Sequence, residues 1–134
     1  MRKIKILYAF NGTGWGHVTR AKALIPALRK VANVDVLISG KMQSLNLNEQ
    51  PDYFFRGFRF FYEKGGVNIF KTLLNLNFVQ AFKDIFSLNV KQYDLVVTDY
   101  EPISAWACLL KRQPCIHVGH QAAYMSFKTP RPWF

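Results

Sequence analysis

A short apolar segment that runs directly into a glycine-rich loop is the feature that most limits how this chain can fold. Residues 4–10 are apolar apart from Lys5, and Asn-Gly-Thr-Gly-Trp-Gly follows at residues 11–16. An apolar run of this length that ends at glycines is typical of a parallel strand buried on both faces. From His17 onward apolar residues recur at helical spacing, so the loop is predicted to connect a strand to a helix.

The rest of the chain alternates between strand-like and helix-like stretches. Strands are predicted over residues 34–38, 52–62, 93–98 and 115–118. Helices are predicted from residue 17 with a kink at Pro26, after the glycines at 65 and 66, and from Pro102 until just before Pro114. Residues 41–51 are expected to form a short helix or turn and a loop. This order predicts an α/β domain with a mostly parallel sheet covered by helices on both faces.

Composition limits the class of protein further. The chain has 134 residues, of which half are hydrophobic and 19% are charged, which suits one folded domain and not a disordered tail. Its longest apolar runs fall well short of the roughly 20 residues of a membrane-spanning helix, and residues 6–10 are too few for a signal-peptide core. We therefore expect a cytoplasmic protein.

The chain is strongly basic, with 18 Lys and Arg against eight Asp and Glu and a formal net charge of +10. Such a charge favours partners such as nucleic acid, an anionic membrane or a phosphorylated ligand. The basic residues are spread along the whole chain, so a generally basic, solvated surface is an equally good interpretation. They form no stripe or recognised motif, and we expect no nucleic-acid partner.

The cysteines and histidines do not have the spacing of a metal site, and no metal is expected. Cys108 and Cys115 are seven positions apart, without a CxxC pair or zinc-ligand spacing. Both lie among apolar residues, which predicts reduced, buried thiols. The three histidines are too few and too scattered to form a cluster.

The glycine-rich loop is the first candidate binding site. Glycines at a strand–helix junction expose backbone N–H groups near the positive end of the helix, where a phosphate, a carboxylate or a sugar oxygen can bind. Two familiar phosphate-binding motifs do not match this loop. The dinucleotide fingerprint needs a third glycine at position 17, and a P-loop needs Gly-Lys-Ser/Thr where this chain has Gly-His-Val at residues 16–18.

Four residues with acid–base or binding chemistry are expected at the same edge of the sheet. The positive end of the first helix disfavours an imidazolium, which leaves His17 as a neutral base able to accept a hydroxyl proton. Asp99 follows a strand and is a candidate to orient His17, with Glu101 as its competitor. Both acids are equally suited to capping the helix that begins at Pro102. His120 follows the last strand and either binds ligand or packs the loop.

Three motifs, taken in order, resemble a known family. Residues 5–21 read KILYAFNGTGWGHVTRA, residues 94–105 read DLVVTDYEPISA, and residues 119–121 read GHQ. They are similar to GT-B glycosyltransferases, within these to the group that contains the peptidoglycan lipid II synthase and the glucuronosyltransferases. The similarity is strongest to bacterial and archaeal members that begin with Gly-x-Gly-x-Gly-His-x-x-Arg. It covers most of the chain, although residues 41–90 contribute little.

The resemblance implies a fold and a set of roles. GT-B enzymes have two Rossmann-like domains that face each other across a cleft, and residues 1–134 would be the amino-terminal, acceptor-binding one, a three-layer sandwich. His17 would deprotonate an acceptor hydroxyl with support from Asp99, no metal or other cofactor would be needed, and a nucleotide sugar would be the co-substrate. The further substrate-binding candidates are Gly12, Thr13, Gly14, Gly16, Arg20, Glu101, His120 and Gln121.

The chain departs from this family in length. GT-B enzymes are roughly twice as long or more, and the donor-binding domain is absent from these residues. We therefore expect a fragment of a longer enzyme, or one subunit of a split enzyme like the two-subunit N-acetylglucosaminyltransferase that acts on dolichol-linked sugar, and no transfer by this chain alone. The alternative is a stand-alone Rossmann-like binding module for an anionic or phosphorylated ligand.

The segment from residue 54 to residue 86 is rich in phenylalanine and contains basic residues. Phenylalanine recurs every fourth position at 70, 78, 82 and 86, with Leu74 between the first two. Such a stripe is normally the buried face of a helix, and this interpretation is favoured. The other interpretation is a basic, aromatic surface for a lipid-linked acceptor, with peripheral contact at the inner membrane face.

Overall fold

The computed structural model describes residues 2–12, 15–40, 51–55, 62–64, 66–67, 70–71 and 78–119. Its strands and helices occur in the following order: β1 (Ile4–Asn11), α1 (Trp15–Arg29), β2 (Ala32–Ser39), β3 (Tyr53–Phe55), β4 (Tyr62–Glu63), β5 (Gly66–Val67), α2 (Phe78–Ser87), a 3₁₀ turn (Val90–Gln92), β6 (Leu95–Asp99), α3 (Pro102–Lys111) and β7 (Cys115–His117).

Five strands form a parallel sheet in the order β3-β2-β1-β6-β7, which confirms the predicted α/β class. The chain adds β2 and β3 on one side of β1, then crosses to the other side for β6 and β7. The strand order therefore reverses between β1 and β6. In open parallel sheets, ligands bind at the carboxyl ends of the strands beside such a reversal. Phe10, near the end of β1, is paired with Ile38 of β2 and Asp99 of β6.

The sheet is covered on both faces, and successive residues of β1 alternate between the two cores. Tyr8 and Phe10 pack with α1, whereas Leu7 and Ala9 pack with α2 and α3. All four side chains are fully buried. This explains the unbroken apolar run in the sequence, since a strand with helices on both faces has no solvent-facing side.

The predicted strand over residues 52–62 is tested only at its two ends. Tyr53–Phe55 joins the sheet as β3, and residues 56–61 lie outside the described residues. Tyr62, at its far end, pairs antiparallel with Val67 in the ribbon of β4 and β5. Lys64 follows β4 with a positive φ of 51°, where the chain turns toward β5. The expected short helix or turn at 41–51 falls almost wholly outside the described residues.

The phenylalanine stripe is not the buried face of its helix, so the favoured interpretation is wrong. In α2 the buried side chains are Ala81, Asp84 and Ile85. Phe82 and Phe86 are 57% and 65% exposed. The row that contains Ala81 and Ile85 turns toward the sheet and α3, and it leaves the adjacent phenylalanine row on the outer side.

Other expectations concern the prolines, the cysteines and the membrane. Helix α1 runs through Pro26 to Arg29, and the kink expected at Pro26 stays a prediction. Helix α3 begins with Pro102 in its first turn, as expected. The prediction of two buried thiols holds for Cys108 and is wrong for Cys115, because β7 is the outer strand of the sheet and Cys115 is exposed on it. Among the described residues, no helix is both long enough and apolar enough to cross a membrane.

Candidate functional site

The first turn of α1 and the last residue of β6 bring together a histidine and a carboxylate. The Nδ1 atom of His17 lies 2.7 Å from Oδ1 of Asp99. Asp99 points to the α1 side of the sheet, and its side chain is completely buried, while that of His17 is 14% exposed. The predicted meeting of these two residues at the carboxyl edge is therefore observed.

Arg20 completes the set of charged partners. One turn after His17 on α1, it donates from Nη1 to the other Asp99 oxygen, Oδ2, at 2.6 Å. Each carboxylate oxygen thus has its own donor, as a buried charge requires. Arg20 is a predicted substrate-binding residue, and its side chain is 28% exposed. Its contact with Asp99 holds the carboxylate in place, and a substrate contact by Arg20 remains a prediction.

Tyr100 contributes to the site and was missed by the sequence analysis. Its ring stacks on His17 with the centroids 5.4 Å apart and an angle of 2° between the planes. The backbone of Tyr100 is left-handed, with a φ of 55°, which is uncommon for an aromatic residue. Together Asp99 and Tyr100 fix both the direction and the plane of the imidazole. No pattern in the sequence indicates this turn, because it is set by the packing around it.

Tyr8 lies close to the charges of Asp99 and Arg20. Its hydroxyl is buried and has no hydrogen-bond partner among the described residues. Burial, together with the negative charge of Asp99, raises the pKa of Tyr8 to about 12, so the phenol stays neutral at ordinary pH. The sequence showed Tyr8 only as one more residue of an apolar strand.

Glu101 has a different function in the fold from Asp99. It is the N-cap of α3, where its carboxylate accepts from the backbone N–H groups of Ile103 and Ser104 at 2.9 and 2.6 Å. Only 2% of the residue is exposed, and burial raises the pKa of its carboxyl group. Of the two acids considered as the partner of His17, Asp99 makes the contact and Glu101 caps the helix. A substrate contact by Glu101 remains a prediction.

The described part of the glycine-rich loop is anchored to the neighbouring strand. The N–H of Gly12 donates to the carbonyl of Ser39 at 2.8 Å, which holds the end of β1 beside the end of β2. Gly16 is exposed in the first turn of α1, with open space where a Cβ would lie. Thr13, Gly14, His120 and Gln121 lie outside the described residues, and their binding roles remain predictions.

The fold and the site define a class: a Rossmann-like α/β domain with a histidine–carboxylate pair where the strand order reverses. A family model described as glycosyl transferase family 1 matches residues 4–132, and the chain belongs to that family. A comparison with curated protein sequences found no match.

Proposed function

We propose that this chain is the acceptor-binding domain of a nucleotide-sugar-dependent glycosyltransferase and that His17 is its general base. The observation that carries the proposal is the 2.7 Å contact between His17 Nδ1 and the fully buried Asp99. A carboxylate on Nδ1 favours the tautomer whose lone pair is on Nε2. No described residue bonds to that second nitrogen, which leaves it available for a hydroxyl proton.

The proposed reaction is a substitution at the anomeric carbon of the donor sugar. The acceptor hydroxyl oxygen attacks that carbon, the bond to the nucleoside diphosphate breaks, and the diphosphate leaves with the bonding electrons. The hydroxyl proton passes to Nε2 of His17, and Asp99 stabilises the resulting imidazolium. Arg20 holds the second oxygen of Asp99, so the carboxylate does not rotate away during the transfer.

The remaining roles follow from the position of the site. The glycine-rich loop lies at the carboxyl edge, where its N–H groups would meet an acceptor oxygen and the donor phosphates. The acceptor is a sugar or a lipid-linked sugar, and no metal is required. A donor-binding domain, joined to this chain or supplied as a separate subunit, completes the enzyme, and the chain alone transfers no sugar. The similarity to the lipid II synthase and glucuronosyltransferase group belongs to this proposal.

The first experiment joins this chain to the polypeptide encoded downstream of the Phe134 codon or by an adjacent gene. Release of nucleoside diphosphate is measured with a mixture of nucleotide sugars and acceptors. We expect His17→Ala to lower the rate by at least about 100-fold, the usual loss when a general base is removed. His117→Ala is the matched control, because His117 is exposed on β7, and it should retain full activity.

Two results would contradict the proposal. A His17→Ala enzyme that transfers sugar at nearly the normal rate would remove the base assignment. Sugar transfer by the isolated chain would show that no donor-binding domain is needed. If the joined protein instead binds an anionic ligand and never consumes nucleotide sugar, the stand-alone binding module is the better description.

The geometry is testable without a substrate by nitrogen NMR of the imidazole rings. His17 is expected as the tautomer with hydrogen on Nδ1, because Asp99 accepts from that atom. His117, which is exposed, serves as the internal reference. A His17 ring with its hydrogen on Nε2 at neutral pH would mean that the second nitrogen cannot accept a proton, and the base assignment would fail.

A further inference from the structure

The two cysteines of the chain lie on the same face of the sheet and are in contact. Cys115 begins β7 and pairs in register with Val96 of β6. Residues that pair in register in a parallel sheet point to the same face. Val96 packs in the core beneath α3 that also contains Cys108. Cys115 is therefore directed toward α3, and its thiol makes a hydrogen bond with the thiol of Cys108.

The connection between α3 and β7 holds this arrangement in place. Arg112 caps the end of α3 in a left-handed conformation, with a φ of 54°. The N–H groups of Arg112 and Gln113 both donate to the carbonyl oxygen of Cys108, the second at 2.9 Å. The N–H of Val96 donates to the carbonyl oxygen of Pro114 at 3.2 Å, which attaches the start of β7 to the sheet. Because this turn is bound at both ends and the sulfur atoms already touch, a bond between them requires little movement of the backbone.

The two thiols differ in solvent access and in protonation. Cys115 is exposed on the outer strand, whereas Cys108 is buried. Water stabilises a negative charge better at the exposed sulfur, so Cys108 keeps its proton and donates it to Cys115. This hydrogen bond lowers the pKa of Cys115 below its ordinary 9.0 and raises the pKa of Cys108. Nearby charges have smaller effects: Glu101 raises the pKa of both thiols, and Lys91 lowers that of Cys108.

We propose that Cys108 and Cys115 form a reversible redox site, which hydrogen peroxide oxidises to an intramolecular disulfide. The Cys115 thiolate attacks one oxygen of the peroxide, so that an S–O bond forms and the O–O bond breaks. The hydroxide that leaves takes up a proton and becomes water. The peroxide is reduced, and Cys115 is oxidised to a sulfenic acid. The Cys108 sulfur then attacks the Cys115 sulfur, the S–S bond forms, and the S–O bond breaks. The second hydroxide takes the Cys108 proton and leaves as water.

A dithiol reductant returns the site to its starting state. One reductant thiolate attacks the exposed Cys115 sulfur, the S–S bond breaks, and Cys108 recovers its thiol. The second thiol of the reductant then attacks the mixed disulfide and releases Cys115, while the reductant leaves as a cyclic disulfide. Both exchanges with solvent occur at Cys115 because Cys108 is only 3% exposed. The proposal does not depend on glycosyl transfer.

Treatment of the folded wild-type chain with hydrogen peroxide tests the proposal, because the sequence contains two cysteines and no more. Free thiols and intact mass are measured before and after treatment. We expect both thiols to be lost together, with a mass decrease of two hydrogen atoms, and both to return with dithiothreitol. Trypsin cleaves after Lys111 and Arg112, between the two cysteines. The disulfide should therefore join the two cysteine peptides in an unreduced digest.

Three variants separate the roles of the two thiols. Cys115→Ser should react with peroxide at least about tenfold more slowly than wild type, because the remaining thiol is buried. Cys108→Ala should still react at Cys115 but stop at the sulfenic acid, which dimedone traps. Cys115→Ser/Ile116→Cys is the matched control with two cysteines. Ile116 is 52% exposed, but adjacent residues of a strand point to opposite faces, so this variant should form no intramolecular disulfide. Circular dichroism and thermal melts verify that each variant folds.

Each of the other outcomes would overturn the proposal. A wild-type chain that keeps both free thiols in excess peroxide has no redox site. A wild-type chain that accumulates the dimedone adduct at Cys115 has no resolving thiol at Cys108. Disulfide-linked dimers without an internal link would mean that Cys115 reacts with a second copy of the chain. A disulfide that forms as fast in Cys115→Ser/Ile116→Cys as in wild type would mean that unfolding, and not the contact in the fold, brings the thiols together.

Discussion

At the scale of single residues, Asp99 determines the electrostatics of the candidate site. Its buried carboxylate faces one cation, Arg20, so this pair is neutral in its ordinary ionisation state. A proton on His17 therefore adds one net positive charge in a partly buried place. In the proposed reaction that charge appears as negative charge develops on the leaving diphosphate, and the two would stabilise each other.

Tyr8→Phe is predicted to leave stability unchanged or to raise it by up to about 1 kcal/mol, because it removes a buried hydroxyl without a described partner. Tyr93→Phe is the matched control. The Tyr93 hydroxyl donates to Asp35 at 2.7 Å, and its loss should cost about 1 kcal/mol. Urea unfolding of both variants provides the comparison. A larger loss for Tyr8→Phe than for Tyr93→Phe would show that the Tyr8 hydroxyl has an important partner.

At the scale of elements, the two acids near residue 100 each lie at the boundary of a secondary-structure element. Asp99 ends β6 and faces α1, while Glu101 begins α3 and faces the other core. In continuous extended backbone, residues two positions apart would point to the same face of the sheet, so the backbone between Asp99 and Glu101 has to depart from the extended conformation. The left-handed turn at Tyr100 lies between them and places its ring on His17.

Glu101→Gln is predicted to lower the free energy of unfolding by about 1–2 kcal/mol, because the amide has one acceptor oxygen for two backbone N–H groups. Glu101→Asp should retain much of the stability, since aspartate is a good N-cap. Chemical denaturation of the three proteins measures the difference. If Glu101→Asp is as unstable as Glu101→Gln, capping is not what the carboxylate contributes.

Asp94 links the beginning of β6 to β1, and its contribution should depend on pH. Its carboxylate accepts from the backbone N–H of Lys5 and pairs with Arg2, which lowers its pKa below the ordinary 3.8. A lowered folded-state pKa adds stability above the unfolded value and loses it as the pH falls through the folded value. Asp94→Asn should therefore be less stable than wild type at neutral pH and indistinguishable from it at pH well below 3.8.

Arg2→Gln is the control for that prediction. Arg2 is 79% exposed, and the Lys5 N–H is the larger cause of the pKa shift, so Arg2→Gln should have a small effect. Thermal melts across the acid range measure all three proteins. A stability difference between Asp94→Asn and wild type that persists unchanged in acid would contradict the assignment.

At the scale of the whole molecule, two features dominate: the reversal of strand order and the excess of positive charge. The reversal separates the loop after β1 from the loop after β6 and creates the crevice in which His17 and Asp99 meet. The charge of +10 is spread over the chain, and in the part of the chain that the structure describes α2 and α3 carry exposed aromatic rings. Repulsion among these charges opposes the compact state.

Raising the salt concentration from a few millimolar to about 0.15 M is predicted to raise the melting temperature, because salt screens this repulsion over about 8 Å. Calorimetry at the two concentrations measures the change. A Lys22→Gln/Lys30→Gln variant, altered at two exposed positions, should show a smaller rise. A melting temperature that falls with salt would mean that surface ion pairs such as Arg2–Asp94 outweigh the repulsion.

The sequence by itself determined the parallel α/β fold and the edge of the sheet at which His17 and Asp99 lie. Apolar strands ending in glycine or acid, alternating with helical periodicity, are local patterns, and the carboxyl ends of parallel strands share one edge. The positions of His17 and Asp99 followed from that rule. The cap at Glu101 was also foreseeable, because an acid before a proline-initiated helix is a local signal.

Only the tertiary structure decided which side of α2 is buried, which of the two acids contacts His17, and how the His17 imidazole is oriented. A helical stripe of phenylalanine shows that a helix is amphipathic, but the neighbours of the helix select the row that packs, and here that row includes Ala81 and Ile85. The stacking of Tyr100 on His17 depends on one left-handed residue between two elements. Contacts between residues more than 80 positions apart leave no local pattern, because they exist only after the sheet has assembled.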